Sequence, residues 1–242
     1  MFGGLFNRAR KLTRSPIHTD MHSHLLPGID DGVESLEQAI SVIKGFESLG
    51  YTKLITTPHI MSDFYRNTPE IIHQKLETVK NEINRQKINI TLEAAAEYNL
   101  DENFMELIND RNELLTFGNK HVLFELSFTI KPLHLKEAVF RMQSNGYRPV
   151  LAHAERYLYF HQEQQDLQDL YDAGVILQLN LLSLSGFYSR PVRKMANALI
   201  KKGMISLLGS DCHNIMQFAA FREVLLSSKV DYTSDKFINN QL

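Results

Sequence analysis

The stretch DMHSHLLPGIDDG, Asp20 to Gly32, sets two histidines two residues apart and then two adjacent aspartates beyond a Pro-Gly turn. On an extended segment side chains alternate in direction, so His22 and His24 project to the same side. His59 follows in TTPH, Glu97 ends LEAAAE, Glu125 stands in LFELS, His153 in LAHAER, and Asp211 and His213 flank Cys212 in LGSDCHN. Imidazoles combined with carboxylates suit Mn²⁺, Fe²⁺ or Zn²⁺, whereas a structural zinc finger needs a thiolate cluster. One cysteine cannot supply that cluster. Each motif also has a blander reading. A lone His-x-His is weak evidence, Asp30 and Asp31 read equally well as turn residues beside Gly32, and His18, His73, His121, His134 and His161 fit no pattern beyond surface or core histidines. Glu97 and Glu125 are less easily dismissed. They end apolar runs, where an unpartnered carboxylate is costly to desolvate, and a cation is the simplest partner.

The elements that must position these side chains are short apolar runs alternating with helical periodicity. Strand-like runs fall at 17–21, 52–57, 88–97, 121–126, 148–152, 174–180 and 204–209. Between the first two, SLEQAISVIKGFESLG places Leu36, Ala39, Ile40, Ile43 and Phe46 on one helical face, with Gly50 as a stop. Another helix begins at Thr68-Pro69, a cap followed by proline at the first helical position, and runs to about Gln86. Strands alternating with helices predict an α/β fold with parallel strands and right-handed crossovers, closing as a barrel or nearly so. In such a barrel the C-terminal ends of all strands share one face, so candidates scattered from 22 to 213 converge there.

Composition narrows the function classes. The 242 residues are 43% hydrophobic, carry a formal net charge of −2 and show no linker or repeat, which fits one domain over 17–242 after an N-terminal extension, 1–16. No basic patch interleaved with aromatics favours nucleic acid as a partner. No apolar run approaches the ~20 residues of a membrane span, and the extension MFGGLFNRARKLTRSP lacks the long apolar region of a signal peptide. A single cysteine forms no intrachain disulfide and suits a reducing cytoplasm.

Taken in order, HxH, PGIDDG, TPH, two strand-end glutamates, AHxERY and SDxHN resemble the polymerase-and-histidinol-phosphatase (PHP) superfamily over residues 17–215. Within it they are similar to the bacterial manganese-dependent tyrosine phosphatases of capsule and exopolysaccharide systems. The resemblance implies a distorted seven-stranded βα barrel with a trinuclear site, most simply of Mn²⁺. By motif position His22, His24, Glu97 and Asp211 would hold one metal, and Glu97 would bridge to a second held by Glu125 and His153. Asp31, His59 and His213 would hold the third. Arg156 matches the family's phosphate-binding arginine. Two departures stand out: Ala154 replaces the proline of AHPERY, which should loosen the loop presenting Arg156, and Phe218 stands near where a second arginine is usual. Arg222 and Arg190 are the remaining candidates for that second arginine.

The implied chemistry is attack on phosphorus by a metal-activated hydroxide, with Arg156 on the equatorial oxygens and Asp31 or a neighbouring histidine as proton donor. A phenol leaves with a pKa of about 10, so an aryl phosphate needs little proton assistance. The substrate the resemblance implies is a phosphotyrosyl protein, the tyrosine-rich tail of a polysaccharide-export autokinase. The rival readings are a small-molecule phosphoesterase such as histidinol phosphatase and a metal-binding module without turnover. A thiolate mechanism is disfavoured: CHNIMQF puts Phe218 where a Cys-x₅-Arg loop needs arginine, and Cys212 is expected to pack inward as a small hydrophobe.

Overall fold

A computed structural model describes residues 13–227, 230–232 and 235–242. The first twelve residues of the expected extension lie outside them. Ser15, near its end, is buried and donates its N–H to the Leu49 carbonyl.

Nine strands run through the described residues: β1 (Thr19–Asp20), β2 (Lys53–Thr56), β3 (His59–Ile60), β4 (Thr91–Ala94), β5 (Glu97–Asn99), β6 (His121–Glu125), β7 (Arg148–Leu151), β8 (Ile176–Asn180) and β9 (Ile205–Gly209). The helices are α1 (Leu36–Ser48), α2 (Pro69–Arg85), α3 (Glu102–Asn109), α4 (Leu135–Ser144), α5 (Leu158–Gln162), α6 (Gln164–Asp172), α7 (Arg190–Lys202) and α8 (Ile215–Ser227). Every strand pair is parallel, in the orders β1-β2-β4 and β3-β5-β6-β7-β8-β9. Together they form a distorted βα barrel.

Nine strands arise from the seven runs expected because β3 lies just beyond the second run, 52–57, and the third run, 88–97, is divided between β4 and β5. Pro58 separates β2 from β3 and has no N–H to give the ladder. Pairing resumes at once: Ala95 N–H reaches the Thr56 carbonyl at 2.9 Å and Glu97 N–H reaches that of Pro58 at 3.0 Å. The seam between first and last strands is closed by a bridge at Ser23 and Cys212, where Asp211 N–H bonds the His22 carbonyl and His24 N–H that of Cys212. Below that bridge the side chain of Asn239 substitutes for a ladder, donating to the Thr19 and Leu208 carbonyls and accepting from Leu208 N–H.

Strand alternation divides the core. Leu54, Phe124, Leu151 and Leu208 face the helices, while Ile55, Leu123, Val150 and Leu207 pack together on the other face, inside the barrel. Truncating such side chains to alanine costs about 2–5 kcal/mol, so the floor beneath the strand ends is rigid. Glu125, two residues beyond Leu123, therefore faces the interior at the barrel's C-terminal end. Gln178, between Leu177 and Leu179, faces the interior too.

The helices form as their sequences dictate. Ser35 caps α1 by accepting from Gln38 N–H, and the helix buries Ala39, Ile40, Val42, Ile43 and Phe46. Thr68 caps α2 ahead of Pro69, and the helix ends at Arg85. Gly45, inside α1, is required by packing: a Cβ there would meet the Phe218 ring at 2.4 Å.

Candidate metal centre

All nine residues singled out by type and spacing meet at the C-terminal mouth of the barrel. Their donor atoms form four overlapping groups within which every atom lies within 4.8 Å of the others: His24, Asp31, His59 and His213; His22, His24 and Asp211; His22, Glu97 and His153; His59, Glu97 and Glu125. Glu97, fully buried, is the hub. Its Oε1 lies 3.0 Å from His153 Nε2, and its Oε2 lies 3.2 Å from His22 Nε2, 3.3 Å from His59 Nδ1 and 3.5 Å from His24 Nε2. Asp211 Oδ1 is 3.4 Å from Nε2 of both His22 and His24. Asp31 Oδ1 stands 3.4 Å from Nε2 of both His59 and His213.

The ring orientations fit a cation-binding set. His22 turns Nδ1 to Gln178 Oε1 at 3.1 Å, His24 turns Nδ1 to Asp30 Oδ2 at 2.8 Å, and His213 turns Nδ1 to the Asp211 carbonyl at 2.9 Å. An acceptor at Nδ1 places the ring proton there and leaves the Nε2 lone pair pointing into the cluster, as metal-ligating histidines require. His22 and His24 even face each other Nε2 to Nε2 at 3.4 Å. His59 Nδ1 and Glu125 Oε1 approach to 3.0 Å out of hydrogen-bond geometry, and both are buried without a hydrogen-bond partner among the described residues. Such atoms are costly unless something binds them.

Electrostatics agree. Burial disfavours the cations of His22, His24 and His59, yet neighbouring carboxylates prevail and lift all three rings above the ordinary histidine range, His59 to about 10. Burial also opposes charge on Glu97 and Asp211, and the surrounding rings hold both well below the usual carboxylate range. Asp31 is held low too, by His213 and His59 against partial burial. Protons on rings and a divalent cation are alternative ways to neutralise these carboxylates.

Backbone strain marks the same place. His153 and Asp211 leave β7 and β9 in the left-handed region, with φ of 33° and 50°, where a non-glycine residue costs about 1–3 kcal/mol. His153 is held by its N–H to Gln178 Oε1 at 2.7 Å. Gly209 keeps space for that amide: a Cβ there would lie 2.6 Å from Gln178 Nε2 and 2.8 Å from His22 Cβ.

The cluster opens into a pocket of about 270 Å³ lined by Asp31, His59, Glu125, Phe128, His153, Arg156, Tyr188, Asp211, His213, Asn214 and Gln217. Arg156 is its one lysine or arginine. It ends the 3₁₀ turn Ala154–Arg156 and lies between two aromatic faces, 4.6 Å from the Phe128 centroid and 4.2 Å from that of Tyr188. Its Nη1 donates to Asp211 Oδ2 at 3.0 Å, which Asn180 Nδ2 also reaches at 2.8 Å while donating to Tyr188 Oη at 2.8 Å. Despite Ala154, the turn stays hydrogen-bonded, Arg156 N–H to the His153 carbonyl at 2.8 Å.

No second arginine lines the pocket among the described residues. Arg190 lines a separate cavity of about 480 Å³ with His161, Gln164 and Lys194, because Ser189 caps α7 there and starts the helix away from the cluster. Arg222 lies exposed on α8. Phe218 is core, packed 5.0 Å from Phe46 centroid to centroid. Cys212 is buried, and burial pushes its thiol pKa up. The supporting residues Asp30, Gln178, Asn180, Phe128 and Tyr188 went unassigned in sequence. Gln178 had a signal, a single amide inside the apolar run VILQLN.

Comparison with known proteins places this geometry. Residues 18–237 match the family described as capsular polysaccharide synthesis, CpsB/CapC. The chain is 28% identical over 196 residues to a putative tyrosine-protein phosphatase CapC of Staphylococcus aureus, covering 81% of this chain and 77% of that protein. It is 24% identical over 196 residues to the tyrosine-protein phosphatase YwqE of Bacillus subtilis, with the same coverage. Among solved structures, those of YwqE and of CpsB from Streptococcus pneumoniae, described as metal-dependent tyrosine phosphatases, share the fold at a TM-score of 0.79 and 23% identity, covering 90% of this chain and 89% of that one. With 220 consecutive residues, 18 to 237, matched and the ligand-type side chains gathered at one barrel mouth, the chain belongs to the CpsB/CapC family of capsular polysaccharide synthesis.

Proposed function

We propose that this protein is a cytoplasmic, metal-dependent phosphotyrosine-protein phosphatase, with a trinuclear Mn²⁺ centre and the phosphorylated tail of a polysaccharide-export tyrosine autokinase as substrate. The observation that carries it is the juxtaposition of Arg156 with a nine-residue cluster of imidazoles and carboxylates, six of which line the same pocket. The names of the CapC and YwqE relatives support the same reaction. His22, His24, Glu97 and Asp211 would hold one cation, Glu97, Glu125 and His153 a second, and Asp31, His59 and His213 a third. With five imidazoles, four carboxylates and no thiolate, Fe²⁺ and Zn²⁺ are chemically competent alternatives.

Divalent cations bound there supply Lewis acidity and bring the pKa of a water ligand towards neutrality. The chain's own residues do the rest. Arg156, stacked between Phe128 and Tyr188, presents its free N–H edge to the equatorial phosphoryl oxygens, where the transition state spreads its charge. Asp211 fixes that edge through Nη1. Asp30 and Gln178 hold the His24 and His22 rings in register. Asp31, its pKa held low by His213 and His59, would serve as a ligand, with Asp31 or a neighbouring histidine as the proton donor where one is needed. A tyrosyl phenolate can leave without one, which favours aryl over alkyl phosphates.

The test is turnover by purified protein before and after chelation, on p-nitrophenyl phosphate, a phosphotyrosyl peptide and histidinol phosphate, with metal content measured in parallel. Activity on the first two that vanishes with the metal and returns with Mn²⁺ is expected. Preference for histidinol phosphate, or turnover by metal-free protein, overturns the reading.

A further inference from the structure

The polar pocket is ringed by apolar side chains that face solvent. Phe64 is 76% exposed, and its ring lies beside Tyr65, which stacks 5.5 Å from His59. Phe128, 41% exposed, lines the pocket itself. Phe187 stands edge-on to the pocket residue Tyr188 at 5.1 Å. Ile215 and Met216, the latter 80% exposed, lie between the pocket residues Asn214 and Gln217 and begin α8, whose buried residues are Phe218, Phe221, Val224 and Leu225. These five come from four segments, those after β3, β6, β8 and β9, so they approach the mouth from different sides. Scattered surface hydrophobics need no explanation, but apolar residues gathered around a polar cleft do.

We infer that this collar docks a polypeptide, gripping apolar side chains that flank the phosphotyrosine on the substrate protein. The inference rests on the phosphatase reading above. A pocket of about 270 Å³ has room for one aryl phosphate, so of the collar a small phosphate ester would reach only Phe128, which lines the pocket. A residue that enters from an extended chain brings its neighbours onto the rim, successive side chains alternating to opposite sides. Those neighbours would meet Met216, Ile215, Phe187, Phe64 and Phe128 around the mouth. A lipid surface suits the collar less well, because interfacial apolar groups are usually accompanied by free cations. Here Lys131, three residues from Phe128, is paired with Glu163 and Asp166. A second copy seated on the collar would cover the mouth through which substrate enters.

The variants are Met216→Gln and Phe64→Ser, singly and together, because both side chains are mostly exposed and neither lines the pocket. Wild type and variants, loaded with Mn²⁺, are compared on p-nitrophenyl phosphate and on phosphotyrosyl peptides whose flanking residues are leucine and valine or glycine and serine. Binding of the matching phosphonate peptides is read by fluorescence anisotropy. We expect wild type to favour the apolar-flanked peptide about tenfold in kcat/KM and in binding, the double variant to lose that preference, and p-nitrophenyl phosphate turnover to stay within about twofold. Equal treatment of both peptides by wild type, or variants that slow all substrates alike, overturns the collar while leaving the phosphatase reading intact. Preference in phosphonate binding without hydrolysis of any substrate sustains the collar and sinks that reading. Sedimentation with anionic vesicles or dimerisation that depends on Met216 and Phe64, with no peptide preference, assigns the collar to a membrane or to self-association and refutes the inference.

Discussion

Replacing Glu97 by glutamine changes one oxygen to an amide NH₂ in the most crowded part of the cluster. The size is kept and the charge is lost. Oε1 faces His153 at 3.0 Å and Oε2 faces His22 and His59 at 3.2 and 3.3 Å, so the carboxylate joins two groups, one with His22 and His153 and one with His59 and Glu125. Two unit charges about 4 Å apart at an effective dielectric near 20 interact by about 4 kcal/mol. An amide dipole and entering water recover part of that, leaving a deficit of about 2–3 kcal/mol for each of two cations, or about 30- to 150-fold weaker binding. The amide also directs N–H groups at imidazole lone pairs meant for metal. Glu97→Gln should therefore bind at least one cation fewer at micromolar Mn²⁺, measured by elemental analysis after desalting, and lose most phosphatase activity. Because the side chain is fully buried, the variant's fold is checked by circular dichroism before metal is counted. Full metal occupancy with near-normal turnover would refute the bridging role.

Arg156→Ala should lower kcat/KM on aryl phosphates by about 10²–10³, the range seen for removal of one transition-state donor, with metal content retained; loss of metal would make Arg156 structural. Arg156→Lys should recover little of that, because an ammonium lacks the planar fork that lies between Phe128 and Tyr188. Cys212→Ala should keep most activity at a stability cost of about 1 kcal/mol, whereas a dead variant with fold and metals intact would mean that the thiol is chemically engaged. The chelated protein should lose thermal stability as pH rises from 7 to 10. The raised pKa values of His22, His24 and His59 contribute stability that is complete below the unfolded value of about 6.5 and is lost as pH climbs through the folded values, about 10 for His59. With Mn²⁺ present the cation takes the place of those protons and the decline should disappear; a flat or rising melting temperature in chelated protein would contradict this.

The gathering of these nine side chains was legible because three signals coincide at each position. The residue types bind cations, the preceding run is apolar, and barrel geometry brings every strand end to one face. No single motif carried it: His-x-His alone was weak, and Asp30 and Asp31 were indistinguishable as ligand or turn. The structure separates that pair. Asp31 joins His59 and His213, while Asp30 accepts from His24 Nδ1 and from Gly32 N–H. Both are adjacent acids in the same turn, and their roles diverge through backbone direction, which residue type does not encode. The split of 52–57 from His59 was marked by Pro58. The split at Ala95 and Ala96 follows from it across the ladder, since a missing donor on one strand breaks its neighbour's pairing as well as its own.

What stayed illegible is the layer that holds the ligands. Gln178 carries His22 Nδ1 and His153 N–H on one oxygen, at 3.1 and 2.7 Å, and so couples the first strand to the fifth run through a residue 156 positions from His22. A long-range bond of this kind leaves no periodic trace; it shows only as a polar residue where an apolar one would pack. Asn180 and Asn239 act similarly, one tying Asp211 to Tyr188 and the other closing the barrel seam. Each replaces a backbone or ligand contact with a side-chain amide, which can donate and accept at once. A barrel that sets candidate ligands on strained backbone at His153 and Asp211 needs such bridges to hold the side chains against that strain. The chemistry is therefore written in residue type and position. The precision with which it is held is written in amides that sequence patterns treat as noise.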